Sequence, residues 1–361
     1  MTEPTYAPAG PVFSIDGERV ASLARDCVRL EIEEGVEGLR TLRLRVFATG
    51  AGATGPPDRM IYLDGGAVDF GKQLTVSLGP DGGQRTVFDG AISAIEVIFD
   101  GRSSPEVVVF AEDALMRLRM TRRLRTFTEV TDADVASSIA DEHGLQADVD
   151  VDGPRYDVVQ QLNQSDLAFL RERARLVQAE LWADARTLHM ASRPRRSGTE
   201  LTLVQGNDLE SVRLCADLAH QRSNVVVTGY DASAADVIDE RAQADAIEAE
   251  ITSGRTGPRL VQQALGTATT LRVREAALTG EEARAWAQAE MLRRARRFVT
   301  VIGTTRGTPD MVVGSRLSLR EVGAPFEGSG YYVTRIRHTV DLVRGLRTYF
   351  EAERATVNEV A

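Results

Sequence analysis

The residues best suited to acid–base or metal chemistry near neutral pH are four histidines, at His143, His189, His220 and His338. No two of them lie four residues apart, and none neighbours a cysteine, so the ligand spacing of a zinc site is absent. We expect His143 to end a helix and His338 to lie in a strand. The histidines therefore predict no metal site.

Motifs for nucleophiles and phosphates are also missing. Residues 327–331 contain Ser329 but not the Gly-x-Ser-x-Gly spacing of a nucleophile elbow, and they fit a turn before a strand better. Lys72 follows Gly71 without the glycine-rich run of a phosphate-binding loop. The sequence therefore predicts neither an acyl-transfer site nor a nucleotide site.

Paired carboxylates occur at the starts of two predicted helices, where Asp132 precedes Asp134 and Glu281 precedes Glu282. Helix capping explains these pairs better than acid–base catalysis does. We therefore expect no catalytic residue, no cofactor-binding residue and no metal ligand, and we expect that the protein is not an enzyme.

Composition narrows the class of protein. The 361 residues carry a formal charge of −10 and are 43% hydrophobic, which predicts two or three folded domains. The acidic balance argues against a nucleic-acid partner, and no run of 18 apolar residues predicts membrane insertion. Residues 1–4 lack the basic start of a signal peptide, so we expect synthesis and assembly in the cytoplasm.

Two residue types are unusually scarce. Cys27 and Cys215 are the only cysteines, and we expect both to be buried small hydrophobes, with a disulfide as a minor alternative. Lys72 is the only lysine, so the basic residues are almost all arginine. Arginine suits buried or interfacial ion pairs, because its planar guanidinium can bond a carboxylate through two atoms.

Hydrophobic alternation predicts a mainly β chain of the α+β class, whose short strands and tight turns suggest a barrel or a sandwich. We assign two β-barrel, tube-like domains that carry α/β insertions. Residues 1–113 are the predicted first barrel, and 114–198 an α+β insert. Residues 199–232 and 296–356 are the predicted second barrel, and 357–361 a tail. The barrels could be a diverged internal duplication, which the sequence does not show directly.

Residues 233–295 are the predicted helical insert of the second barrel. Within it we expect a weak helix at 234–251, a short helix ending near Gly266, and a capped helix that starts at Thr279. In the first insert, Thr131 and Ser165 are predicted helix caps. The exit from that insert, at residues 193–198, fits a linker or surface loop.

Charged and aromatic residues suggest contacts. Strand faces of alternating charge either line a lumen, pair across subunits, or are ordinary solvated surface; they are Arg29, Glu31 and Glu33, and Arg347, Glu351 and Glu353. The arginine-rich run 117–125 fits an interdomain or subunit salt-bridge cluster better than a nucleic-acid patch. The run 293–297 suits the C-terminal end of a helix, and Trp182 and Trp286 are predicted core or interface anchors.

Several segments in shared order resemble the late control protein D family of contractile phages, which is related to the N-terminal part of the type VI secretion spike protein VgrG. They are residues 165–171, 181–184 and 88–92, and a final section from Val313 through residues 330–334 and 338–341 to 345–352. The resemblance covers residues 24–355. Each segment alone is a packing pattern of low specificity, and the shared order carries the resemblance.

The resemblance implies a structural baseplate hub of a contractile, phage tail-like injection system, and thus a virion or particle component. It implies a homotrimer whose ring of six barrels adapts a hexameric inner tube to a trimeric spike, with spike binding and contacts to other baseplate proteins. Because no needle follows the second barrel, we expect the spike to be a separate polypeptide. The alternatives are a tail-associated peptidoglycan hydrolase and a DNA-binding regulator, for which no residue set stands out.

Overall fold

The computed structural model describes residues 10–49, 60–79, 83–100, 104–266 and 270–359. Residues 1–4, on which the signal-peptide prediction rests, lie outside these ranges. Across the described ranges, no helix combines the length and apolar character needed to cross a bilayer.

The chain folds into many short strands and few helices. The first part comprises β1 Val12–Ile15, β2 Glu18–Arg19, α1 Ala21–Asp26, β3 Cys27–Gly35, β4 Thr41–Phe47, β5 Gln73–Leu78, β6 Arg85–Ile98 and β7 Glu106–Glu112. The next comprises α2 Met116–Arg119, β8 Arg122–Val130, α3 Asp132–Glu142, β9 Gln146–Asp150, β10 Tyr156–Ser165, α4 Asp166–Leu176, β11 Ala179–Asp184 and β12 Thr187–Ser192. The last comprises β13 Glu200–Val204, β14 Leu209–Ala216, β15 Asn224–Asp231, β16 Asp236–Gln243, α5 Asp245–Glu248, β17 Arg255–Thr256, α6 Gly257–Leu265, β18 Thr270–Arg272, α7 Gly280–Arg296, β19 Val299–Thr305, β20 Arg316–Arg320, β21 Gly328–Asp341, β22 Gly345–Arg354 and β23 Thr356–Val357.

One sheet of 13 strands organises the molecule. Its strand order is β14-β19-β22-β21-β3-β4-β7-β6-β5-β1-β2, with β20 beside β21 and β13 beside β20. Smaller sheets and the helices lie outside it. The predicted fold class, α+β and mainly β, is confirmed, and the predicted final hairpin is present as β21 and β22.

The two halves of this sheet have the same strand order. In the first half the order is β1-β5-β6-β7-β4-β3, and in the second it is β13-β20-β21-β22-β19-β14. A β-bulge interrupts the first hairpin between Ile92 and Ala94, and a bulge interrupts the second between Val333 and Arg335. The halves differ at one place, since β1 pairs antiparallel with β5 whereas β13 pairs parallel with β20.

Each half covers its own hydrophobic core, because alternate residues of every strand point inward. In the first half Leu30, Ile32 and Leu44 are fully buried, and in the second Phe350 and Val333 are. Strand β3 joins the halves by pairing antiparallel with the C-terminal part of β21. The two halves therefore share one continuous hydrogen-bonded sheet.

The α+β insert packs α3 and α4 on two small sheets, one of β8 and β10 and one of β11, β12 and β9. Both predicted caps are present: the Thr131 side chain accepts from the Asp134 amide, and the Ser165 side chain accepts from the Ala168 amide. Helix α3 ends at Glu142, and Gly144 just beyond it has a φ of 66°, which suits a residue without a Cβ.

One prediction about the second insert is wrong. Residues 234–251 do not form a helix; they form strand β16 and the short helix α5. Although Ala, Asp and Glu favour or tolerate helices, β16 pairs along its whole length with β15, and Ile238 is buried on the shared face. Strand β15, assigned above to the second barrel, belongs to this three-stranded sheet instead.

The two inserts share a single core. Val227 and Ile238 of the second insert, with Trp286 on α7, belong to the same buried cluster as Leu167 and Leu188 of the first insert. Helix α7 buries Ala283, Ala287 and Met291, and Thr279 caps it by accepting from the Glu282 amide. Segments that are far apart in the chain therefore fold against each other.

Buried ion pairs join the first insert to the central sheet. Glu34 on β3 accepts from Arg196 at 2.6 Å and from Arg40 at 2.8 Å. Arg196 also donates to Glu180 on β11 at 3.3 Å. Because Arg196 is only 5% exposed, the prediction that residues 193–198 are a linker or surface loop is wrong for this residue.

The same cluster extends to the final hairpin. Tyr332 on β21 donates to Glu180 at 2.6 Å, and Arg193 bonds both Glu180 and Glu353 on β22. The Arg193 guanidinium also stacks over the Tyr332 ring, 4.1 Å from its centroid. These contacts satisfy charges that would otherwise be costly to bury.

The two cysteines differ in environment. Cys27 is buried as predicted, and burial raises the pKa of its thiol to about 12. The prediction that Cys215 is buried is wrong, because this residue lies exposed on β14 at the edge of the sheet. Both thiols are free, so the minor alternative of a disulfide is excluded within this chain.

Replacing Arg196 should test how much the buried cluster contributes. We expect Arg196→Ala to lower the free energy of unfolding by about 3 kcal/mol, because Glu34 and Glu180 would lose a buried partner. Urea denaturation of both proteins measures the change. Arg29→Ala, which breaks an exposed pair with Glu31, is the control and should cost at most about 1 kcal/mol. Equal losses for the two variants would contradict the prediction.

His338 should make stability depend on pH. Burial lowers the pKa of its imidazole from 6.5 to about 4, so between these values the unfolded chain binds a proton that the folded chain does not. Proton binding by the unfolded chain therefore lowers the free energy of unfolding as the pH falls from 6.5 towards 4. Above pH 6.5 both states are neutral at this residue, and the free energy of unfolding loses nothing. Asp113, whose pKa burial raises to about 6, contributes with the opposite sign.

We therefore expect His338→Gln to flatten the fall in unfolding free energy between pH 7.5 and 4.5 by about 2–3 kcal/mol relative to the parent. Denaturant titrations across this pH range give the comparison. His220→Gln alters an exposed side chain and is the matched control. If both variants kept the slope of the parent, the assignment to His338 would be wrong.

Candidate assembly surface

A polar face covers the middle of the central sheet on the side opposite the two cores. Strands β4, β3, β21 and β22 lie side by side here, and every second residue points outward because side chains alternate along a strand. The outward residues are Arg43, Arg45, Arg29, Glu31, Glu33, Arg335, Arg337, Arg347, Tyr349 and Glu351. Both halves of the sheet thus contribute to one charged surface.

Opposite charges pair across neighbouring strands of this face. Arg335 lies 2.6 Å from Glu33 on β3 and 3.6 Å from Glu351 on β22. Arg29 and Glu31 pair along β3 at 2.7 Å. The outward residues named above comprise six arginines and three glutamates, so the surface carries an excess of positive charge, although Arg45 and Arg347 also pair with Glu106 and Glu210.

The two charged strand faces predicted from the sequence come together here, with one exception. The predicted residues Arg29, Glu31 and Glu33 lie on β3, and Arg347 and Glu351 lie on β22 of the same face. Glu353 is the exception. It is only 8% exposed, because it turns into the buried cluster with Arg193.

At one end of the polar face lies a cleft of about 760 Å³ between the sheet, the first insert and α7. Its charged lining includes Arg171 and Arg175 of α4, Arg293 of α7, Arg297 just after α7, Glu37 in the turn after β3, and Glu33, Arg335 and Glu351 of the sheet. A cleft lined by both charges can hold a polar peptide segment, since it offers partners of either sign.

The four histidines lie at separate places. His143 lies at the end of α3, and its Nε2 is 2.8 Å from Asp166 at the start of α4. His189 stacks on Trp182 with ring centroids 4.8 Å apart. His338 is buried in β21, with Nδ1 2.9 Å from the Thr348 hydroxyl. Across the described ranges, no three His, Cys, Asp or Glu residues form a group that could hold a metal ion.

The carboxylate pairs have structural contacts. Asp134 completes the capping box of α3, and hydrogen bonds from Thr131 lower the pKa of its carboxyl. Asp132 instead is buried, bonds Arg173 and accepts from Tyr156 at 3.0 Å. This buried ion pair was not predicted; its signal in the sequence is an acidic residue on the apolar face of a predicted helix.

The arginine-rich runs are engaged in ion pairs within the chain. Arg119 pairs with Glu112 on β7, between the predicted first barrel and the first insert, as expected of an interdomain contact. Arg123 and Arg125 instead both bond Asp166 at 2.9 Å, inside the first insert. Burial alone would raise the pKa of Asp166, but hydrogen bonds from His143, Gln161 and Arg123 outweigh it and lower the pKa. The run 293–297 lies at the C-terminal end of α7, as predicted, and there Arg293 and Arg294 pair with Glu290.

Solved structures share this fold over nearly the whole chain. The 43 kDa tail protein of prophage MuSo2 from Shewanella oneidensis matches with a TM-score of 0.69 and 16% identity, covering 96% of this chain and 98% of its own. A tail protein from Neisseria meningitidis MC58 matches with a TM-score of 0.62 and 14% identity, covering 96% and 97%.

A third likeness comes from a secretion machine. An Escherichia coli component of the type VI secretion system, described as structurally similar to the phage T4 tail proteins gp27 and gp5, matches with a TM-score of 0.56 and 12% identity. The match covers 97% of this chain and 79% of that protein. At these identities the likenesses show a common fold.

Sequence comparison gives the family. No curated protein matches the chain. The family model described as the Alg8 N-terminal domain matches residues 65–341, which is more than three quarters of the sequence. The chain therefore belongs to the Alg8 N-terminal domain family.

Proposed function

We propose that the protein is the structural baseplate hub of a contractile, phage tail-like injection system. Three copies form a ring that binds a trimeric spike on one side and the hexameric inner tube on the other. The ring also contacts other baseplate proteins. The chain is made and assembled in the cytoplasm and ends as a component of a virion or injection particle.

The observation that carries this proposal is the repeated strand order of the central sheet. Each chain holds two halves with the same six-strand arrangement. A ring of three chains would present six similar halves, which is what a threefold object needs in order to meet a sixfold tube. The fold shared with phage tail proteins and with a type VI secretion component supports the same role.

The polar face is the proposed wall of the channel. Its charges keep the surface hydrated, and some of them are paired across strands, as Arg335 is with Glu33. The alternative is an ordinary solvated face of the sheet. The mixed-charge cleft beside the polar face is the proposed contact site for a neighbouring protein of the baseplate.

The proposed role is assembly, without a catalytic, cofactor or metal site. The charged groups of the sheet and inserts described above hold each other in ion pairs and caps, as Asp166 and Glu34 do. Such contacts stabilise a scaffold. They leave the peptidoglycan-hydrolase alternative without a residue set to favour it.

The oligomeric state tests the ring. We expect native mass spectrometry of the purified chain to show a species of three times the single-chain mass of 39.3 kDa, because the ring closes with threefold symmetry. Mass photometry gives an independent reading at lower concentration. A stable monomer in complex with its spike protein would count against the hub.

Enzyme activity tests the alternative. We expect no clearing of peptidoglycan in a zymogram loaded with the pure, refolded chain, because assembly needs no hydrolytic site. A known lysozyme in the neighbouring lane is the positive control. Clearing at the position of this chain would overturn the structural role in favour of the hydrolase.

A further inference from the structure

Two strand edges of the central sheet lack a partner strand within the described residues. One is the outer edge of β14, whose only partner strand is β19, apart from a single bridge between Leu209 and Gln205. The other belongs to the C-terminal end of β6, after Ile92, beyond the pair of Ala91 with Gln73, the first residue of β5. Open edges of this kind pair readily with another strand.

The repeated strand order makes these two edges equivalent to a pair that is already joined. Strand β14 occupies the position of β3, and β6 the position of β21. The match holds residue by residue: Ile95 corresponds to Ile336, since Ile95 pairs with Val109 and Ile336 with Phe350.

The correspondence extends to strands β3 and β14, because β3 pairs with β4 and β14 pairs with the equivalent strand β19. Leu30 pairs with Leu44, and Val212 pairs with Gly303, at corresponding places in the two halves. A bulge follows Cys27 in β3, and one follows Leu209 at the same place in β14. Bulges at matching positions indicate the same local geometry, because each re-aims the strand in the same way.

We propose that β14 of one copy pairs antiparallel with the C-terminal end of β6 in the next copy, as β3 pairs with β21 inside each chain. This inference rests on the proposed trimer and names its interface. Transferring the internal register places Glu96 opposite Cys215, Val97 opposite Leu214 and Ile98 opposite Arg213. Three such junctions close the sheets of three chains into a ring.

Side-chain directions agree with this register. Val97 and Leu214 are half-buried and pack towards their own cores, whereas Glu96 and Cys215 are exposed on the polar face. A register shifted by one residue would place apolar side chains opposite polar ones.

The surface chemistry also agrees. Phe99 is 69% exposed in the single chain, and the junction places it opposite Val212. Glu96 lies diagonal to Arg213 across the junction. The internal junction has a diagonal ion pair of this kind, between Glu33 and Arg335 at 2.6 Å. The partner that fits the β14 edge is therefore a second copy of this chain.

The junction can be tested with the native Cys215 as one half of a disulfide. In the internal junction the Val36 amide donates to the Thr334 carbonyl, so the pair Glu33 and Arg337 is not hydrogen-bonded. Cys215 and Glu96 take the same places. Non-hydrogen-bonded pairs bring Cα atoms to about 4.5 Å, within the range that a disulfide spans.

We expect Glu96→Cys to form disulfide-linked dimers and trimers under mild oxidation, with more than about half of the chains linked, because three equivalent pairs face each other. Non-reducing gels and peptide mass spectrometry identify the link to Cys215. Adding Cys215→Ser should abolish the product. The control Val97→Cys turns its thiol towards the core and should not cross-link.

The outcomes separate this interface from the proposed hub. A trimer by native mass spectrometry in which Glu96→Cys fails to link to Cys215 would overturn the pairing and leave the ring intact. A chain that stays monomeric would count against both the ring and the pairing. Cross-linking by Val97→Cys as efficient as by Glu96→Cys would overturn the register.

A charge swap gives a second reading that needs no cysteine. Glu96→Arg and Arg213→Glu each place like charges across the junction, and each should lower the trimer fraction at least about threefold at a fixed low concentration. The double variant restores opposite charges and should recover the parent fraction. Both side chains are exposed in the single chain, so folding is preserved. Single variants that leave the trimer unchanged would contradict the proposed junction.

Discussion

The architecture depends on the pairing of β3 with the C-terminal part of β21. These strands lie near opposite ends of the chain, and their register places Leu30 opposite Val340 and Glu33 opposite Arg337. Because side chains alternate with a period of two, this one register sets which residues of both halves face the cores and which form the polar face. A slip of one residue would bury the charges and expose the core.

Buried ion pairs then determine where the first insert sits. Glu34 would be an unpaired charge inside the protein without Arg196 and Arg40, and Glu180 depends on Arg196 and Tyr332. A hydrophobic contact could hold the insert in many orientations, whereas guanidinium hydrogen bonds are directional, and Arg196 bridges Glu34 and Glu180 with two of its nitrogens. The near-exclusive use of arginine in this chain suits such directional contacts. The arginines of the cluster lie in the loop after β12 and in the turn after β3.

The second insert lies between two strands whose equivalents in the first half are joined by only a short turn. Strands β3 and β4 are joined by residues 36–40, whereas the corresponding strands β14 and β19 are separated by residues 217–298. That long segment folds onto the first insert and completes its core with Trp286 and Ile238. The cleft beside the polar face forms where the short turn and α7 approach each other.

The sequence by itself determined the local elements and the class of the fold. Alternation predicted the final hairpin of β21 and β22, and Thr131, Ser165 and Thr279 marked real helix starts, because these signals act between residues close in the chain. Only the tertiary structure decided that residues 236–243 form a strand, that Arg196 is buried and that Cys215 is exposed at a sheet edge. Each of these depends on which distant strand lies alongside, and that choice comes from packing and hydrogen bonds summed over the whole molecule rather than from any local pattern.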